Sequence, residues 1–313
     1  MLELRNMQRG AGSPFDHNFQ SGQICAVLGG NQSGKTDLCR FIAGLASQYT
    51  GEALLDGVTL TQNDVAMVFQ AFVNYPNLTV RENIEAPLKH FGRTEPVDRY
   101  AEILGLSNLL DRLPSELSGG QQQRLAIARA LAKEARVLVL DEPLVNLDFK
   151  LRESLSRDLL TLLSESGAVV IYATSDPRDA FLLGDEVLIL KESEKVQSGP
   201  PMAVYQNPQT LAAMASMADP QINSWTDQDT CFALRPEDFV FCEQNDERAI
   251  PFRVIGGESS GNKTLVYGLP TDRTSTQDHW AIWLDKQPKE QLVYLSYAQD
   301  ALEVFSESEW VAG

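Results

Sequence analysis

The chain has 313 residues, 43% of them apolar and 22% charged, which suits a folded protein of about two domains and excludes a disordered one. It carries 26 basic against 43 acidic side chains, a formal net charge of −17. The excess is spread along the chain, with 7 basic and 16 acidic residues in 221–313 and 19 and 27 before it, so no basic face for nucleic acid is expected. There is no run of about 18 apolar residues to cross a bilayer. Met1-Leu2-Glu3-Leu4-Arg5 lacks the apolar stretch of a signal peptide, so a cytoplasmic chain is expected. The cysteines, Cys25, Cys39, Cys231 and Cys242, form no CxxC pair and read as buried thiols.

In chain order, Ile24–Leu28 is a continuous apolar run that predicts a strand buried on both faces. It leads into Gly29-Gly30-Asn31-Gln32-Ser33-Gly34-Lys35-Thr36, and a helix is predicted from Asp37 to about Ala46. The stretch 72–135 is mostly helical in pattern and reads as an inserted subdomain. Further buried strands are predicted at Val137–Leu140, ending on Asp141-Glu142, at Val169–Ala173, ending on Thr174-Ser175-Asp176, and at Val187–Leu190. Between them Leu151, Leu155, Leu159 and Leu162 share one helix face. Buried strands alternating with helices predict an α/β fold around a parallel sheet, with ligands at the carboxyl ends of the strands. A last helix is predicted over Gln209–Ala218. Beyond Asp219-Pro220 the texture changes to short apolar runs, Cys231–Leu234, Thr264–Tyr267, Trp280–Leu284 and Leu292–Leu295, between turn residues. Residues 1–220 are therefore read as the α/β domain and 221–313 as a small all-β domain of barrel type.

The segment Gly29–Thr36 fits G-x-x-x-x-G-K-[ST]. Its glycines let the backbone N–H groups of Gly29, Gly30, Asn31, Gln32, Ser33 and Gly34 curl toward an anion, and the following helix adds the positive end of its dipole. Lys35 then reaches the outer phosphates of a nucleotide, and Thr36 is a Mg²⁺ ligand. At the end of the next buried strand Asp141 can hold Mg²⁺ through water and Glu142 can serve as general base. A second helix opening, Ser118-Gly119-Gly120-Gln121 after Leu117, makes a second anion-binding N-terminus in one chain.

Leu117-Ser118-Gly119-Gly120-Gln121 followed by Gln122–Leu131 resembles the signature of ABC-transporter ATPase subunits. The resemblance implies a P-loop NTPase fold with a parallel core, an antiparallel β part and a helical insert. It also implies two such subunits facing head to tail, each ATP lying between one subunit's Lys35 loop and the other's Ser118–Gln121. In the same way Gln70, after Val65–Phe69, resembles the Q-loop glutamine that contacts Mg²⁺ and reports to the membrane subunits, and Asn146-Leu147-Asp148 resembles the D-loop that crosses to the opposite ATP. Asn74–Ile84, Val204–Pro208 and Leu234-Arg235-Pro236-Glu237 are similar to the carbohydrate-importer branch of maltose-importer type, whose C-terminal domain is OB-like. Phe72–Pro76 with Tyr172–Pro177 resembles the paired ATPases of bacterial glycerol importers. The implied partners are a second ATPase subunit, two transmembrane permeases that dock near Gln70 and Phe72–Leu78, and, indirectly, an extracytoplasmic solute-binding protein. The implied place is the cytoplasmic face of the membrane.

Three positions depart from the pattern. Ser175 stands where the family places a switch histidine, and none of the three histidines, His17, His90 and His279, is near it in sequence. Ala11 falls near the aromatic that stacks on adenine, leaving Phe15 or His17 as substitutes, with Phe15 better suited to the core. Leu144-Val145 opens the D-loop where a serine is usual. A neutral serine supplies no positive charge to the outer phosphate, which predicts a slow site on this chain and a non-identical partner ATPase whose site its Ser118–Gln121 completes. The alternative is that Thr174 or another group replaces the histidine. A regulatory or scaffolding subunit, binding ATP without useful hydrolysis, is the competing functional reading.

Overall fold

The structure, a computed structural model, describes residues 1–71, 73–90, 92, 96–145, 149–306 and 309. The expectations at Phe72, Asn146, Leu147 and Asp148, and the side chain of Leu151, lie outside the described residues. The chain divides into two compact units, Met1–Ala203 and Val204–Gly313.

The first unit begins with β1 (Leu2–Arg9), β2 (Phe15–Phe19) and β3 (Ile24–Leu28), followed by α1 (Lys35–Ile42). Strands β4 (Tyr49–Leu55), β5 (Val58–Thr59) and β6 (Val65–Val68) lead to the insert, whose helices are α2 (Val80–His90), α3 (Val97–Ile103) and α4 (Gly119–Ala132). The unit continues through β7 (Val137–Asp141), α5 (Phe149–Glu165), β8 (Val169–Thr174), α6 (Pro177–Leu183), β9 (Glu186–Lys191) and β10 (Glu194–Gly199), and α7 (Pro201–Gln206) crosses its end. The central sheet has the order β10-β9-β3-β8-β7-β6, parallel except at the β10 edge. All residues of β3, β7 and β8 are buried, as continuous apolar runs require of strands covered on both faces. A second, antiparallel sheet has the order β2-β1-β4-β5. Leu155, Leu159 and Leu162 of α5 are buried as their spacing predicts.

Two helix lengths differ from the sequence reading. Helix α1 ends at Ile42 rather than near Ala46, because Gly44 takes φ +65° and reverses the chain. Helix α8 spans Leu211–Ser216 instead of 209–218, its first turn capped by Thr210 on the Ala213 N–H. Met214 of this helix packs with Ile222, Cys231, Ala233 and Phe305, so α8 belongs with the second unit, whereas the sequence reading ends the first domain at 220. Cys25, Cys39 and Cys231 are buried free thiols, and Cys242 is half-buried, at a strand end that does not enclose it.

The second unit continues with β11 (Asn223–Asp227), β12 (Thr230–Leu234), β13 (Phe239–Phe241), β14 (Ile250–Ser260) and β15 (Lys263–Pro270). It is completed by β16 (Thr274–Ser275), β17 (Trp280–Leu284), β18 (Leu292–Tyr297) and β19 (Glu303–Ser306). In place of one barrel these form two antiparallel sheets, β16-β11-β12-β19 and β13-β18-β14-β15-β17. Side chains from both sheets share one core around Trp280, which is fully buried and whose ring lies 5.6 Å from Trp225 and 5.7 Å from Phe239. Its indole N–H donates to Ser275 Oγ at 3.1 Å, so the polar tip is satisfied inside the core. Trp280→Ala is expected to destabilise this unit by about 3–5 kcal/mol, read as a lowered urea midpoint with Trp225 as the remaining central fluorophore.

Candidate functional site

Strand β3 delivers the chain to Gly29 at the carboxyl edge of the central sheet. A Cβ there would stand 2.3 Å from the Leu190 carbonyl oxygen, so no side chain fits and the loop turns flush against β9. Gly34 holds φ +100°, and a Cβ on it would meet Ser193 Oγ at 2.6 Å. The tight turn between β9 and β10, with φ +49° at Glu192 and +73° at Ser193, supports the loop from below: the Ser193 N–H donates to the Ser33 carbonyl at 2.8 Å. None of this support was legible in the sequence, since it depends on a hairpin about 160 residues away in the chain.

Lys35 opens α1 and is 5% exposed. Its ammonium donates to the carbonyls of Gly29 at 2.7 Å and Gly30 at 2.9 Å and stands 3.6 Å from Glu142 Oε1. The Thr36 hydroxyl donates to Asp141 Oδ1 at 3.0 Å, and Gln70 Nε2 donates to Glu142 Oε2 at 3.2 Å. The structure therefore gathers Gln70, Lys35, Thr36, Asp141 and Glu142, predicted from separate segments, into one cluster. Burial lowers the pKa of Lys35, with Glu142 and then Asp141 pulling it back up. Burial likewise raises Asp141, opposed by the Thr36 hydrogen bond and reinforced by the Glu142 charge. Such a group of desolvated charges is the setting in which a phosphate and a cation bind strongly.

Glu142 has φ +47°, a left-handed conformation that few non-glycine residues adopt. Its N–H donates to the Ala173 carbonyl at 3.0 Å, so the hydrogen bond to β8 fixes the turn that points Glu142 beside Lys35. Strain of this kind concentrates at functional sites. Ser33 Oγ is buried without a hydrogen-bond partner among the described residues, an orphaned donor inside the cradle that a phosphate oxygen would satisfy. Thr36, Asp141 and Gln70 offer only oxygen and amide donors, a set that fits Mg²⁺ rather than a softer ion.

Asn31–Gly34 of the loop, with Lys35, Thr36, Gln70 and Glu142, line an open cavity of about 520 Å³ that also includes Arg9, Asp37, Arg40 and Gln48. Among the described residues no aromatic lines it. Ala11 has no substitute in Phe15, which packs edge-on against Tyr49 at 6.3 Å, or in His17, which is buried. Arg9, held by Gln48 at 3.0 Å, Ser193 at 2.7 Å and Asp37 at 3.3 Å, lines the cavity, and only the β1–β4 pairing, invisible to periodicity, brings it there.

The second glycine motif lies elsewhere. Ser118 caps α4 in a reciprocal pair: the Gln121 N–H donates to Ser118 Oγ at 3.4 Å and the Ser118 N–H to Gln121 Oε1 at 2.9 Å. Ser118 and Gly119 are exposed, Gly120 and Gln121 half-buried, and none of the four lines the Lys35 cavity. Ser175, just after β8, is exposed and makes no side-chain hydrogen bond among the described residues. Thr174 is no stand-in for it: this buried hydroxyl donates to Asp179 at 2.7 Å and accepts from the Asp176 N–H at 3.0 Å. Arg152 clamps the same turn, 2.9 Å from Asp176 and 2.8 Å from Asp179.

A parallel sheet carrying this loop, a carboxylate pair at the next strand end and a second capped glycine motif define a P-loop ATPase cassette. Known proteins agree. The ABC transporter family model matches residues 13–145. The xylose/arabinose import ATP-binding protein XacK of Haloferax volcanii is 36% identical over 289 residues, covering 80% of this chain and 76% of the relative. The sn-glycerol-3-phosphate import ATP-binding protein UgpC of a Ruegeria species is 35% identical over 288 residues, covering 89% and 78%. Among solved structures, the dimeric MJ0796 ABC transporter cassette superposes with a TM-score of 0.57 at 28% identity, covering 64% of this chain and 99% of that one. The chain belongs to the ATP-binding proteins of ABC transporters.

Proposed function

We propose that the chain is the ATP-hydrolysing subunit of an importer for a sugar or polyol, working at the cytoplasmic face of a membrane through separate permease subunits. No helix among the described residues is long and apolar enough to cross a membrane. The observation that supports the reading most is the pairing of a complete Lys35–Thr36–Asp141–Glu142 cluster with an exposed Ser118–Gln121 opening that lies outside its own cavity. Each half is incomplete, so two cassettes close over each ATP head to tail.

Within that site the loop N–H groups, Ser33 and Lys35 bind the phosphates. Thr36, Asp141 and Gln70 would hold Mg²⁺, which when bound would supply charge neutralisation on the phosphate oxygens. Glu142 takes the proton of the attacking water, oriented through Gln70, and the partner's Ser118–Gln121 closes the far side. Asp148, outside the described residues, is assigned to the opposite site by its resemblance to the D-loop. Closure draws the permease helices together near Gln70 and Tyr75, and hydrolysis resets them. The first unit, Met1–Ala203, forms the cassette and the second, from Val204, an OB-like regulatory domain. Relatives named for a pentose sugar and for a glycerol phosphate match at almost equal identity, so the solute is set by the permeases, with a glycerol-like polyol as the first candidate.

Lys35→Ala tests the reading. Removing the ammonium from the cradle is expected to weaken Mg·ATP binding of the full chain by about 100-fold by calorimetry, in line with the about 2–4 kcal/mol that a charge-assisted hydrogen bond contributes at a buried site. Binding unchanged by the substitution would refute the site. A second reading rests on Ser175: this chain pairs with a different cassette that carries the missing cation, and its own site turns over slowly.

A further inference from the structure

At the amino ends of the central strands, the opposite edge from the Lys35 loop, three side chains with ligand chemistry converge. Cys25 on β3 and Glu186 on β9 are direct register partners across the parallel pair, and His17 approaches from β2 of the antiparallel sheet. His17 Nε2 lies 3.8 Å from Cys25 Sγ and 3.9 Å from Glu186 Oε1, and all three ligand atoms fall within 4.8 Å of one another. His17 is 5% and Cys25 3% exposed, while the Glu186 side chain, 26% exposed, opens the cluster to solvent.

We infer that His17, Cys25 and Glu186 form a zinc site that ties the antiparallel sheet to the central sheet. Around a tetrahedral zinc, with Zn–S of about 2.3 Å and Zn–N or Zn–O of about 2.0–2.2 Å, neighbouring ligand atoms stand about 3.4–3.6 Å apart. The two distances to His17 exceed that by only a few tenths of an ångström, and with all three ligand atoms within 4.8 Å of one another, closing around an ion requires the Cys25 and Glu186 side chains to rotate inward. The present contacts satisfy the imidazole poorly. A thiol is its only hydrogen-bond partner at Nε2 among the described residues, and 3.9 Å is too long for a bond to Glu186. In the neutral tautomer protonated at Nδ1, the Nε2 lone pair faces the thiol and the carboxylate and is available to a metal.

The donor set of one sulfur, one nitrogen and one oxygen selects zinc over Mg²⁺ or Ca²⁺, and water from the Glu186 side completes four-coordination. Cys25 is a buried free thiol in the metal-free protein. Binding therefore forms an S–Zn bond as the S–H bond breaks, and the proton leaves to solvent. Lys195 on β10 is the competing cation: its charge bears on His17, Cys25 and Glu186 alike, and its ammonium donates to the Asp16 carbonyl at 3.3 Å. Loss of this charge should favour the metal.

Titration of the metal-free full chain with Co²⁺ tests the site by its thiolate-to-cobalt charge-transfer band. One Co²⁺ per chain is expected, displaced stoichiometrically by Zn²⁺, with the band absent in Cys25→Ser. By competition with a chromophoric chelator, Zn²⁺ affinity should fall at least about tenfold in Glu186→Gln and rise severalfold in Lys195→Gln. Retained Mg·ATP binding in Glu186→Gln and Lys195→Gln serves as the folding control. Absence of the band, its survival in Cys25→Ser, which would place the ion at Cys39, Cys231 or Cys242, or indifference to both charge variants would overturn the proposal.

Discussion

Glu142→Gln is expected to reduce ATP turnover of the full chain by about 10²–10⁴-fold, the range set by loss of a positioned general base, while Mg·ATP binding stays within a few-fold of the parent. The amide keeps the length of the side chain and its contact with Gln70, now at 3.2 Å from the carboxylate, and it inherits the same left-handed backbone at φ +47°. Shape and strain are thus held constant, and only the proton acceptor is removed. Binding is spared for an electrostatic reason. Glu142 is a negative charge 3.6 Å from Lys35 and raises the pKa of Asp141, so its neutralisation leaves the ammonium freer for phosphate and relieves crowding between two acids. Single-turnover phosphate release together with equilibrium calorimetry separates the two effects. Turnover close to that of the parent would move the base elsewhere in the cavity. Equal losses of binding and turnover would make Glu142 a structural partner of Lys35 instead.

The chemistry of this site was legible because it is written in short segments: glycine spacing, a lysine and a threonine at a helix start, and two acids at the end of an apolar run. Strand β3 and strand β17 lie where the apolar runs place them, and β7 and β8 each extend one residue further. What sequence reasoning missed depends on pairing between distant strands. The β9–β10 turn under Ser33, Arg9 in the wall of the cavity, and the meeting of His17, Cys25 and Glu186 each arise from register across a sheet. Half-exposed antiparallel strands such as β1 and β4 show weak periodicity, and nothing local marks them. The fully enclosed strands of the central sheet leave the strongest trace. Glu142 illustrates the limit within one residue: its place beside Lys35 was readable, but its left-handed backbone was not, since the β8 hydrogen bond that imposes it lies about 30 residues on.

Ser175→His is expected to raise the turnover of the isolated chain by about 10–100-fold. A transition-state donor is worth about 10²–10³ in rate, and the discount reflects surroundings not built for an imidazole. The position suits the change. Ser175 is exposed and uncommitted, whereas the residues around it are locked: Thr174 by Asp179, Asp176 at the start of α6 by the Arg178 N–H at 2.9 Å, and both acids by Arg152. A new side chain therefore costs no internal hydrogen bond and leaves the turn in place. The size of the gain also identifies the partner. If two copies of this chain close on each other, both sites lack the cation, and the substitution accelerates the assembled transporter as much as the isolated chain. If the companion cassette carries its own histidine, that site already carries the flux, and the complex gains at most about twofold, one further site added to one, while the isolated chain still gains in full. No gain in either preparation would show that the serine is not what limits the rate, and the asymmetric pairing would lose its only physical basis.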